Sequence, residues 1–141
     1  MNEQAVAELA GAAMFARDPA SQALGMALAA IGPGHARMTM TVRADMLNGH
    51  GTCHGGYIFM LADSAFAFAC NSRNQNTVGA GCTIDYLAPA RLGDVLFADA
   101  VEQAVAGKTG VYDIKVSNHD GTVVALFRGK SHRVQGNVTA I

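Results

Sequence analysis

Residues 54–71 read His-Gly-Gly-Tyr-Ile-Phe-Met-Leu-Ala-Asp-Ser-Ala-Phe-Ala-Phe-Ala-Cys-Asn, apolar on every side of a helix except at Asp63 and Ser64. A helix of that kind is surrounded by protein rather than laid on a surface, so the rest of the fold is built around it. A carboxylate in its middle is costly, by a few kcal/mol or more when it is ionised and poorly paired. Its presence points to use. At the helix start, His54-Gly55-Gly56 presents backbone N–H groups that nothing inside the helix satisfies. Such N–H groups favour negative charge, including the oxyanion that forms when a carbonyl is attacked. One helix thus offers an electrophile-stabilising end and a carboxylate, which suggests chemistry on a carbonyl.

The spacing of these parts has a consequence. Gly55 and Asp63 are eight residues apart, so they lie about 12 Å apart along the helix axis. Two groups acting on one carbonyl must both come within roughly 3 Å of the reacting atoms. Within one chain they do not meet. If both are catalytic, a second copy must bring its Asp63 to the first copy's Gly55, with two helices antiparallel across a twofold axis. That isologous contact generates two equivalent composite sites.

Outward from the helix, the chain reads as one domain over residues 1–141, large enough for a real core. Residues 1–24 form a helical N-terminal segment. Val6, Leu9, Ala10, Ala13 and Met14 recur at helical spacing, and Asp18-Pro19 fits the cap and first residue of a further short turn. The runs 25–31 and 36–42 flank Gly32-Pro33-Gly34, and Met38, Met40 and Val42 alternate with polar residues as a half-buried strand does. The central helix is expected over 55–72. Four strand-like runs follow within 77–134, at about 77–87, 94–106, 109–117 and 122–134, separated by turn-forming residues. A long buried helix ahead of four consecutive antiparallel strands predicts an α+β fold with the sheet wrapped around the helix.

Half the residues are hydrophobic, 15% are charged, and the formal charge is −1. This balance gives no global attraction to nucleic acid or to an anionic membrane. Five of the ten basic residues nevertheless fall in the last quarter: Lys108, Lys115, Arg128, Lys130 and Arg133. The three cysteines, an odd number, read as reduced thiols of a cytoplasmic protein. No signal peptide or bilayer-spanning run is evident.

Several motifs, taken in order, carry a resemblance. They are Asn48-Gly49-His50, His54-Gly55-Gly56, Leu61-Ala62-Asp63, Asp85-Tyr86-Leu87-Ala88-Pro89, Gly93-Asp94, Gly107-Lys108 and Arg128-Gly129-Lys130-Ser131-His132. The set resembles the hotdog-fold acyl-CoA thioesterases, above all those of aerobic phenylacetate degradation, from about Leu24 to Gly136. His-Gly-Gly alone is common, but the ordered set is specific. The resemblance implies a hotdog fold and dimers joined edge to edge, commonly paired into tetramers. It implies hydrolysis of phenylacetyl-CoA and ring-hydroxylated aryl-acyl-CoA esters, with no cofactor and no metal. It also places the active-site carboxylate at Asp63, the oxyanion N–H at Gly55 and a carbonyl-polarising amide at Asn48. His54 is expected to orient or cap, with Gly56, Ser64 and Thr77 near the substrate. Arg128, Lys130 and His132, which alternate on one strand face, are expected to contact the phosphates of coenzyme A, with Lys108 and Gly129 also among the substrate-binding residues. Tyr57, Met60 and Leu61 are expected to help wall an acyl pocket.

There are two departures from the family pattern. Some relatives carry a hydroxyl one helical turn after the carboxylate, where this chain has Ala67; others present a serine from the next strand, where it has Gly79 and Ala80. Thr77, on the same face as Gly79, is the available substitute. Each residue also has a plainer reading. Asp63 could be a structural carboxylate, Gly55-Gly56 a close-packing element, Asn48-Gly49 a turn, and the alternating basic residues a solvated strand edge. His50, Cys53 and His54 supply only three donors for a zinc ion, and adjacent Cys53 and His54 are poorly placed to act as nucleophile and base. Asp63 as base or as direct nucleophile remains open. So do an enoyl-acyl hydratase or dehydratase, which would need a histidine partner, and a non-catalytic acyl-CoA-binding protein, which would not need Asp63.

Overall fold

A computed structural model describes all 141 residues. Its elements run α1 (Glu3–Ala16), α2 (Pro19–Ala23), β1 (Ala27–Gly32), β2 (His35–Thr41), α3 (Gly55–Cys70), β3 (Gln75–Tyr86), β4 (Val95–Ala106), β5 (Thr109–Asn118) and β6 (Val123–Asn137). The strands form one antiparallel sheet in the order β1-β2-β4-β5-β6-β3. This is the expected α+β hotdog arrangement. β3 leaves the helix and crosses to the far side of β6, so β1 and β3 become the two edges.

The local chemistry matches the element limits. Asn2 caps α1, and Asp18 caps α2 with Pro19 at its first position. The helix expected over 55–72 stops at Cys70, two residues early. Asn71 stops it: its amide donates to the Ala67 and Thr77 carbonyls and its oxygen accepts from Thr77 N–H. One side chain thereby ties the end of α3 to the start of β3.

The sheet covers one side of α3. Ile58, Leu61, Ala62, Ala65, Phe66, Phe68 and Ala69 are buried against it. Leu61 and Phe68 are essentially inaccessible, and each contributes about 1.5–3 kcal/mol of apolar burial. Phe66 stacks at tilted angles against Tyr112 and Phe127. Its ring also lies so close to β6 that a Cβ on Gly129 would sit 2.8 Å from it. Gly129 is therefore a packing necessity of the core.

The opposite side of α3 is open. Gly56 and Asp63 are exposed, and Phe59, Met60, Ser64 and Ala67 are only half-buried. The expectation of a helix enclosed all round, with a buried carboxylate, is thus not met within one chain. The sheet curves around only part of the circumference, and hydrophobic pattern does not distinguish a face covered by the chain's own sheet from one left free. β3 is uncovered as well, with Val78 and Tyr86 each half accessible. No helix is long and apolar enough to cross a membrane.

Candidate active site

The start of α3 is organised by two side chains. His54 caps the helix, its Nδ1 accepting from Gly56 N–H at 2.9 Å. The Tyr57 N–H goes to the His54 carbonyl. Gly55 N–H is left as the free donor of the first turn. Tyr86 supports it from β3: its hydroxyl donates to the Gly55 carbonyl at 3.0 Å, and its ring would lie 3.2 Å from any Cβ on Gly55. Burial pushes the Tyr86 phenol up, keeping it a donor. Tyr86 lay inside a quoted motif without an assigned role, and no local pattern shows that it reaches Gly55.

Asn48 sits on the loop before the helix. Its Oδ1 accepts from His50 N–H, Thr52 N–H and the Thr52 hydroxyl. Those three bonds fix which way the amide points and leave its NH₂ free to donate. The turn reading and the carbonyl-polarising reading of Asn48 are therefore compatible. Cys53, Gly55, Ile58, Tyr86, Leu87 and Pro89 line a mainly apolar cavity of about 360 Å³ beside the Gly55 N–H.

Asp63 lies on the open face of α3, exposed and without a hydrogen-bond partner in the chain. Partial desolvation by the surrounding apolar helix face pushes its carboxyl above the usual carboxylate range. A base with a raised pKa and free lone pairs is suited to taking a proton from water.

The other candidates divide. Ser64 turns away from Asp63 and shares a 3.0 Å hydrogen bond with buried Ser21 of α2, so it ties the N-terminal segment to the central helix. Leu61, expected on an acyl wall, belongs to the core. The Thr77 hydroxyl donates to the Gln75 carbonyl. Arg128, Lys130 and His132 alternate on β6 as expected, all exposed, while Phe127, Gly129 and Ser131 face the helix. The basic row is thus on the side of the sheet away from α3. Arg128 there makes a bidentate pair with Asp113, at 2.7 and 2.8 Å, which holds the Asp113 carboxyl below its usual range. Lys108 is exposed in the β4–β5 turn and meets Thr77 in a separate cavity at the far end of α3. His50, Cys53 and His54 do not converge as a metal-holding group. Cys53 is buried, which pushes its thiol up, and its sulfur points to the His54 carbonyl rather than to the ring.

Residues 50–125 match the thioesterase superfamily model, and the chain belongs to that family of hotdog-fold thioester hydrolases. It is 50% identical over 127 residues to the acyl-coenzyme A thioesterase PaaI of Escherichia coli strain K12, across 90% of this chain and 91% of that one. A solved structure of the E. coli PaaI protein from the phenylacetic acid degradation operon superposes with a TM-score of 0.95 and 47% identity, covering 96% of this chain and 99% of that one. A structure of smu.793 from Streptococcus mutans UA159 bound to acetyl CoA has a TM-score of 0.76 and 28% identity, over 79% of this chain and 90% of that one.

Proposed function

We propose that this protein is an acyl-CoA thioesterase that releases phenylacetate and ring-hydroxylated arylacetates from coenzyme A. One observation carries the reading: a free helix-terminal N–H at Gly55 and an unpartnered carboxylate at Asp63 on the same helix. The likeness to the E. coli thioesterase supports the substrate class, as does the acetyl-CoA complex of the streptococcal neighbour.

The active unit in this reading is a pair of chains. The open edge of β3 presents a row of unpaired backbone groups, the kind of edge that proteins pair or protect. Mating two β3 edges antiparallel continues the sheet and sets the open faces of two α3 helices side by side, with dimers pairing further into tetramers. Asp63 of one chain then lies opposite Gly55 of the other, as the axial separation of about 12 Å requires.

The reaction follows from these groups. Asp63 takes a proton from water as the water oxygen bonds to the thioester carbon. The carbonyl electron pair moves onto oxygen, which the Gly55 N–H and the Asn48 amide stabilise. Collapse breaks the C–S bond, and the departing CoA thiolate is protonated to the thiol. In the alternative route, Asp63 attacks directly and water hydrolyses the resulting mixed anhydride. No metal or cofactor takes part in either route, and three free thiols fit a reducing cytoplasmic setting.

The test is continuous detection of released CoA thiol over phenylacetyl-, 4-hydroxyphenylacetyl-, benzoyl- and straight-chain acyl-CoA esters. The arylacetyl esters are expected to have the highest kcat/KM. A binding protein without turnover, or a preference for hydration of an enoyl ester, would overturn the proposal.

A further inference from the structure

The opening of α3 carries two glycines in a row, and each makes room for a different side chain. A Cβ on Gly55 would meet the Tyr86 ring and hydroxyl at 3.2–3.3 Å, and a Cβ on Gly56 would meet His54 Nδ1 at 3.1 Å. Those two side chains grip one peptide unit from opposite ends. His54 Nδ1 accepts from the Gly56 N–H at 2.9 Å, and the Tyr86 hydroxyl donates to the Gly55 carbonyl at 3.0 Å. The grip matters because Gly55 has no Cβ to limit its own rotation. Its N–H, in the first turn of the helix, has no intrahelical bond to aim it. The restraint on the peptide that follows does the aiming.

Tyr86 is itself firmly placed. It is the last residue of β3 and pairs with Ala125 of β6, and the next N–H, that of Leu87, donates to the Val124 carbonyl at 2.8 Å. Yet Tyr86 is 50% exposed, so water can take the place of Gly55 as acceptor at little cost to the fold. A bond that folding does not need, made to the residue bearing the oxyanion donor, fits a role in catalysis. Direction is what such a bond supplies, since a hydrogen bond weakens steeply once it bends below about 120°.

We infer that Tyr86 is a positioning residue for the reaction: its hydroxyl and the His54 ring together hold the Gly55–Gly56 peptide, and so set the direction in which the Gly55 N–H meets the developing oxyanion. The inference rests on the thioesterase reading with Gly55 as oxyanion donor.

Tyr86→Phe tests it by removing one oxygen while keeping the ring beside Gly55. With phenylacetyl-CoA, kcat is expected to fall about three- to tenfold and KM to stay within about twofold, because the oxyanion exists only after attack. The urea midpoint is expected not to move. Amide hydrogen exchange at Gly56, followed by NMR, is expected to quicken about threefold or more. Unchanged kcat, or lower kcat with unchanged exchange, overturns the inference. So does a raised KM at constant kcat, which would make Tyr86 a wall of the substrate cavity. A kcat loss accompanied by a lower urea midpoint would make its role structural and overturns the inference too. If the wild type cleaves none of the phenylacetyl-, benzoyl- and straight-chain acyl-CoA esters, the thioesterase reading itself has failed; exchange at Gly56, which needs no substrate, separates that failure from the absence of the grip.

Discussion

Mixing two impaired variants should restore activity. Asn48 is on the loop before α3, seven residues ahead of the Gly55 donor, and Asp63 lies two turns further along the helix. With about 12 Å between donor and carboxylate, a working site in the proposed mechanism would take Asn48 and Gly55 from one chain and Asp63 from the other. Asn48→Ala weakens carbonyl polarisation and is expected to cost about tenfold or more in kcat, and Asp63→Asn roughly 10²–10⁴-fold. Each homodimer has two damaged sites. In a heterodimer the lesions segregate: one site carries both and the other carries neither. Equal mixing with random exchange makes half the dimers heterodimers, so about one site in four is intact. The assay is CoA release after subunit exchange, with exchange itself followed by native mass spectrometry of an isotope-labelled partner. Recovery to about a quarter of wild-type activity is expected. No recovery beyond the average of the two parents, in a sample that has demonstrably exchanged, refutes the two-chain site.

Other outcomes follow from the same geometry. Asp63→Asn should keep fold and assembly, since the side chain makes no bond within the chain, and near wild-type turnover in folded protein would remove Asp63 from the mechanism. Because burial raises its folded-state pKa, ionised Asp63 opposes folding at neutral pH; this penalty fades as pH falls through the raised value and is gone below about 3.9. The variant is therefore expected to melt higher than wild type at pH 7 but not at pH 3, and the acid limb of the wild-type kcat/KM profile to lie above the ordinary carboxylate range. Gly129→Ala forces a methyl into the Phe66 ring and should destabilise by about 1–3 kcal/mol in urea unfolding; an unchanged midpoint would contradict the packing described. Lys130→Ala should raise KM for acyl-CoA while sparing a short acyl-pantetheine thioester, which lacks the nucleotide phosphates; equal losses on both would assign Lys130 to the sheet.

Much of this was legible in the chain. The helix around residues 55–70 declared itself by length and composition, and the strands by alternation, because both periodicities are local properties. Asp18-Pro19 likewise acts through neighbours a few residues away, whereas Asn71, whose side chain ends the helix, sits inside the 55–72 span expected from the sequence. What stayed hidden is long-range. Gly129 reads as part of a substrate motif until the Phe66 ring, 63 residues earlier, is placed against it. Ser64 looks like an assistant to Asp63 until Ser21 comes across from α2. The openness of the Asp63 face has a different origin: apolar residues look the same in sequence whether their cover comes from the same chain or from another.

The bond from Tyr86 to the Gly55 carbonyl joins two matters otherwise treated apart. β3 is the free edge by which two copies would mate, and its last residue steadies the turn that bears the oxyanion donor. Ordering that edge through docking and ordering the donor would then be a single thermodynamic event. A newly made, solitary chain would lack its neighbour's carboxylate and also hold its own donor less firmly. Hydrolysis would thus be reserved for assembled protein, a built-in safeguard for thioesters passing an unfinished enzyme.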